Sequence, residues 1–225
     1  MKANELTPQA TDPAVALAVR ITIGLSIGVF LLMMLLGLVM RSAQGGVIAV
    51  QPDLFYQVMT AHGVGMVGTA GLSGAAISWF FLNRYVRPSL AVYWLFLALF
   101  VAGVVLILAG VFLGGFAGAW TFLYPLPAHA GDVWSAHAAF SFVAGLLLVG
   151  VGFLVFYLDV ARAIIERYGD LANALGWPAL FGREQRDLPP PAVVGGAAVL
   201  IINTLALVVG AAILIITAVN LYFPS

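Results

Sequence analysis

The sequence predicts an all-α integral membrane protein that crosses the bilayer five times as a single domain. Two observations predict it. The 225 residues are 63% hydrophobic and 8% charged, with mean hydropathy +1.10. Polar residues that sparse cannot cover the outside of a water-soluble domain. Five stretches also run uncharged for long enough to span a bilayer, which takes about 20 residues in a helix. Helices suit such runs because each satisfies its own backbone groups inside hydrocarbon.

The opening "MKANELTPQATDPAVALAVR" is polar and mixed in charge. It lacks the short apolar core and small-residue cleavage site of a signal peptide, so the first span is expected to be retained. That span is predicted near 19–41, between Arg20 and Arg41. The second, near 54–83, runs uncharged from Leu54 to Asn83. The third, near 89–116, follows "RYVRPS". The fourth, near 133–158, lies between Asp132 and Asp159. The fifth, near 192–222, follows Pro189, Pro190 and Pro191, which stop any preceding helix.

The basic residues fix an orientation. Lys2, Arg20, Arg84, Arg87, Arg162, Arg167, Arg183 and Arg186 fall on one side, and Arg41 falls on the other. The positive-inside rule puts the amino terminus in the cytoplasm and the carboxyl terminus outside. The expected location is the inner (plasma) membrane. Segments 42–53 and 117–132 are then outer loops, while 84–88 and 159–191 are inner ones. In the last of these Val160, Ile164, Tyr168, Leu171 and Leu175 form one helical stripe. The stripe predicts a surface-lying amphipathic helix or a cytoplasmic extension of the fourth span.

Charge and cysteine content exclude several functions. Nine basic residues balance nine acidic ones, so no nucleic-acid partner is implied. With no cysteine, disulfides, thiolate metal sites and covalent haem attachment through C-x-x-C-H are ruled out. No repeat or nucleotide-binding glycine loop occurs.

Chemistry concentrates on "FYQVMTAHGVGMV", residues 55–67. His62 lies nine residues beyond Asp53, roughly 13 Å along a helix at 1.5 Å per residue. An ionisable group that deep is costly and points to function. The bland alternative is a neutral histidine bonded to a neighbouring helix. Gly65, Thr69 and Ser73 share its face, with Gly68, Gly71 and Gly74 alongside. Small residues there admit close approach of another helix or of a flat macrocycle, and spacing does not separate the two. His129 and His137 are the other histidines.

The stretch Tyr56 to Gly63 resembles the second helix of subunit I of the haem-copper oxidases, which carries a Tyr-x-x-x-x-T-A-H-G-type motif. "LLGLVMRSAQ" is similar to the arginine-bearing end of that family's first helix. "WTFLYPLP", residues 120–127, is similar to its G-W-T-x-Y-P-P-L stretch. "HAGDVWSAHAAFSFVAG" resembles the opening of its fourth helix. The resemblance implies that His62 is an axial ligand of a low-spin haem. It implies that Arg41 contacts that haem and that Trp120 lies near its propionates. Gly65, Met66, Thr69 and Tyr124 are further candidate haem-binding residues. Arg41 also reads as a snorkelling interfacial arginine, and Trp120 and Tyr124 as an aromatic belt.

The resemblance covers the family's first helices. Its second low-spin haem ligand, high-spin haem ligand and copper ligands belong to later helices, and the three histidines here cannot supply them all. No copper is expected from this chain. Where one oxidase branch has an acidic proton-entry motif, this sequence reads "NRYVRPS". Leu32, Leu36 and Leu54 stand where a quinol-oxidising branch has polar residues, and Gln57 remains. The leading expectation is a b-type cytochrome subunit that holds haem b toward the outer side and relays single electrons. The second axial ligand then comes from a separate chain, from a second copy of this one across a two-fold axis, or from His137 or His129. The expected partners are the bilayer and a homodimer or other membrane redox subunits. Two alternatives stand beside it: half of a split terminal oxidase completed by another chain, and a haem-free structural subunit.

Overall fold

A computed structural model describes residues 10, 12–119, 123, 133–185 and 187–223. Every regular element among them is helical, and five helices are long and apolar enough to cross a membrane. They are α1 (Pro13–Gln44), α2 (Pro52–Leu82), α3 (Leu90–Leu108), α4 (Ala136–Tyr168) and α7 (Pro191–Asn220). Two short helices, α5 (Leu171–Ala174) and α6 (Trp177–Leu180), lie between α4 and α7. The spans run up and down in turn. We call "upper" the end that carries residues 45–51.

Side-chain caps, rather than charges, set the starts of α1, α3 and α4. The Asp12 side chain accepts from the Ala14 N–H at 2.8 Å, and Pro13 occupies the first turn. α1 therefore starts at Pro13 and not near residue 19, with Arg20 carried inside it. Ser89 caps α3 and Ser135 caps α4 in the same way. The fourth helix does not stop at Asp159. That carboxylate, 8% exposed, accepts from the Ser89 N–H at 2.6 Å and pairs with Arg162 at 2.7 Å. It thus meets the positive end of α3 while its own helix continues. Of the two options for the stripe, α4 takes the extension. Val160 and Ile164 are buried in it, and Tyr168, Leu171 and Leu175 pack on the same core.

The third span changes register near its top. Ala109–Leu113 form a π turn, in which the Gly114 N–H reaches the Ala109 carbonyl. The Ser141 hydroxyl of α4 donates to the Leu106 carbonyl one turn below, at 2.9 Å. A register change disturbs carbonyl pairing, and in hydrocarbon a polar neighbour must make it good.

Most of the core lies in the lower half. Trp79 stacks on Tyr93 with ring centroids 4.0 Å apart, and Phe96, Phe100, Phe153 and Phe156 pack around them. The Tyr93 hydroxyl donates to Thr22 of α1 at 2.9 Å, and Asn203 of α7 donates to the Tyr157 hydroxyl at 2.7 Å. A smaller upper cluster centres on Phe116 and Phe142, 4.6 Å apart.

α3 and α4 meet backbone to backbone. A Cβ on Gly103 would lie 2.6 Å from the Gly145 carbonyl oxygen, and one on Gly145 equally close to the Gly103 oxygen. Gly110 and Gly114 approach Ala138 of α4 as closely. Without small residues these helices could not touch along their length. Gly103→Leu or Gly145→Leu should therefore destabilise the bundle by about 1–3 kcal/mol, the usual cost of overpacking. Thermal unfolding in detergent checks this, with Gly24→Leu, where nothing lies within 4 Å of the new Cβ, expected to leave the midpoint nearly unchanged.

Candidate functional site

The deep histidine is turned toward α1. His62 Nδ1 lies 2.7 Å from the backbone carbonyl oxygen of Met33. A carbonyl only accepts, so the bond puts the ring proton on Nδ1 and leaves Nε2 as a bare lone pair. α1 admits the ring because Gly37 stands one turn beyond Met33. A Cβ there would lie 2.9 Å from His62 Cε1. The carbonyl that orients the imidazole is thus exposed by a missing side chain.

The rest of the seam follows α2 downward at helical spacing. The Met33 side chain, 2% exposed, places its sulfur where a Cβ of Gly65 would stand. Below it a half-open cleft of about 270 Å³ lies between the two helices. Ser26, Ile27 and Phe30 of α1 face Met66, Thr69 and Ser73 of α2 across it. Its hydroxyls donate back to their own helices: Ser26 to the Thr22 carbonyl, Thr69 to Gly65 and Ser73 to Thr69. Each therefore offers the cleft a lone pair.

His62, Gly65, Met66, Thr69 and Ser73 are brought together as one face of α2 against α1. The neighbouring glycines serve other contacts. Gly68 faces Phe100 of α3, and Gly71 faces Phe153 of α4. Arg41 continues the α1 row of Met33 and Gly37, one turn higher, about 6 Å along the axis for four residues. It is exposed, and its Nη1 donates to Gln44 Oε1 at 3.1 Å. Beyond it, Gln44, Ile48, Phe55 and Tyr56 border an open upper bowl of about 400 Å³.

His137 is elsewhere. It is exposed at the start of α4, and its Nδ1 lies 2.9 Å from the Tyr222 hydroxyl just past α7. The structure joins it to α7, not to the seam holding His62. Trp120, Tyr124 and His129 lie outside the described residues. Among the described residues no group of three or more His, Asp or Glu gathers as a metal site. An iron held by a porphyrin asks the protein for axial groups alone.

Sequence reasoning missed three participants. Met33 acts through a carbonyl, which no residue letter announces. Gly37 breaks the run "LLGLVM" one turn before Arg41, and that was its signal. Thr60, fully buried, donates to the Tyr56 carbonyl at 2.7 Å and accepts from the Ala119 N–H at 2.9 Å. Ala119 has φ 47, a left-handed conformation that costs a residue with a side chain. The chain leading to residue 120 is thereby fastened to α2 two residues before His62.

Searches among characterised proteins and among solved structures return no match. The family model described as cytochrome c and quinol oxidase polypeptide I matches residues 18–224. That match takes in all five spans and the whole α1–α2 seam, and the chain belongs to the cytochrome c and quinol oxidase polypeptide I family.

Proposed function

We propose that this chain is a b-type cytochrome subunit that passes single electrons through a low-spin haem ligated by His62. The observation that carries the reading is the Nδ1 bond to the Met33 carbonyl, which fixes the ring and leaves Nε2 available. Such a bond to the far nitrogen orients a ligating histidine and raises its basicity. It would equally satisfy a histidine with no ligand role. Three things favour the ligand: the family, the adjoining cleft, and Arg41 on the same face of α1.

The residues present fit haem. Gly65 is covered by a thioether, which is flexible and can swing aside. Ile27, Phe30 and Met66 supply apolar walls. Arg41 supplies a positive charge for propionates at the upper edge. Haem, when bound, supplies reversible one-electron chemistry at its iron. The protein's part is to hold the axial imidazole, keep the site in low dielectric and set the potential. His137 is bonded to Tyr222, so a second ligand would come from another copy, another subunit or His129. With a second histidine the site would leave no position open to gases, and the haem would supply electron relay without oxygen binding. The positive-inside rule directs the upper end, and hence the haem, to the outside of the inner membrane.

The family itself favours a second reading, in which another chain completes an oxygen-reducing oxidase around this one. Carbon monoxide separates the two. A reduced spectrum of the purified protein that ignores the gas supports the relay, and a shifted spectrum supports the oxidase.

His62→Ala should lose its haem, measured as Soret absorbance per polypeptide. A full complement in that variant would overturn the assignment. Gly37→Val should displace the ring from the Met33 carbonyl and cut haem occupancy, while Gly24→Val, on an open face of the same helix, keeps it. Arg41→Ala should retain haem but lower its midpoint potential, because the charge favours the reduced state. A lost interaction of roughly 1 kcal/mol corresponds to a fall on the order of 40 mV in a one-electron couple. An unchanged potential in a redox titration removes Arg41 from the site.

A further inference from the structure

The connection from α4 to α7 contains an apolar display that the bundle does not use. α5 lays Leu171, Ala174 and Leu175 on the lower core. Gly176, at φ 73, then turns the chain outward into α6, and Gly182, at φ 71, turns it back. Both angles are left-handed, where glycine alone is unstrained. Between them Trp177, Leu180 and Phe181 are 53%, 76% and 72% exposed. Trp177 and Phe181 meet edge to face at 6.2 Å.

The turn is held in place. The Arg183 N–H donates to the Pro178 carbonyl at 2.8 Å. Gln185 Nε2 donates to the Asn173 carbonyl at 2.7 Å and to the Asp187 carbonyl at 3.1 Å, tying the returning chain to α5. The fold thus keeps three adjoining large apolar side chains outside its own core, an arrangement that marks an interaction surface.

Its depth identifies the partner. A Cβ on Gly176 would lie 3.8 Å from Pro189 Cγ, so Trp177 stands beside the residues just ahead of α7. From Leu188 onward the sequence carries no charge, so the hydrocarbon edge falls near Pro191. Arg183, exposed, follows the aromatic turn directly. Large aromatic and aliphatic side chains at the bilayer edge, followed by a cation, suit the headgroup region.

We infer that the turn 176–182 is an interfacial anchor, inserting Trp177, Leu180 and Phe181 among the lipid headgroups and upper acyl chains beside the start of α7. It fixes the depth of α7, the least buried of the five spans within the chain. The segment therefore lies in the membrane surface and does not project into water.

The full chain in phosphatidylcholine vesicles tests this. Trp177→Phe keeps an aromatic ring, and its emission subtracted from that of the wild type isolates Trp177. The difference signal should be largely lost when the lipid is brominated in its upper acyl chains, and should resist iodide present on both sides. Quenching by iodide with no effect of bromine would put Trp177 in water and overturn the anchor. Resistance to both quenchers would mean that a protein covers the turn, which overturns it equally.

Discussion

An imidazole inside a bilayer must find a partner, and in this bundle its partner is the backbone of α1. The His62 to Met33 bond ties α2 to α1 at 2.7 Å, beside the apolar packing of the two helices. It also decides how the remaining ring nitrogen is presented. With Gly37 opposite the ring, α1 and α2 meet there through an imidazole. The row Met33, Gly37, Arg41 then lies along the same contact. The histidine, the small residues below it and the arginine above it belong to one seam because helical spacing lines them up along it.

Glycine does opposite things on the two sides of the molecule. Between α3 and α4, Gly103 and Gly145 bring backbones together until carbonyls meet Cα atoms. Such contacts leave no freedom, and weak Cα–H···O attraction adds to them. Between α1 and α2 the glycines create room instead. Gly37 admits a ring, and Gly65 is covered by a thioether with a cleft just below. The α3–α4 pair is closed backbone to backbone, and the α1–α2 pair keeps a half-open cleft. Composition did not distinguish these roles, since both pairs are simply rich in small residues.

Much of this was legible in the sequence. Five uncharged runs gave five spans, and helical spacing put His62, Gly65, Thr69 and Ser73 on one face, where the structure has them. The stripe through Val160, Ile164 and Leu171 was visible, though its form was not. The start of the first helix and the end of the fourth escaped for a physical reason: a charge marks the edge of hydrocarbon, while a cap marks the end of a helix. At Asp159 the two differ because the carboxylate is satisfied by Ser89 and Arg162. The Met33 carbonyl, the Thr60 bond to Ala119 and the pairing of His137 with Tyr222 were hidden too. Each joins residues far apart in sequence, and two of them use backbone atoms that every residue possesses.

Met33 carries the tension between a fixed site and an open one. Its carbonyl is held by its own helix and by His62, so the imidazole it orients cannot drift while α1 is intact. Its side chain answers to no such constraint. It is unbranched, polarizable and adaptable, and it covers Gly65 by packing alone. Moving it costs rotamer and contact energy but breaks no hydrogen bond. A branched side chain at that position would fill the gap above the cleft rigidly, and a polar one would need a partner in hydrocarbon. The same residue can therefore keep the imidazole positioned through its backbone and uncover the glycine face of α2 through its side chain. If the seam holds haem as proposed, it would need both properties at one place: a steady ligand and room for a large flat group.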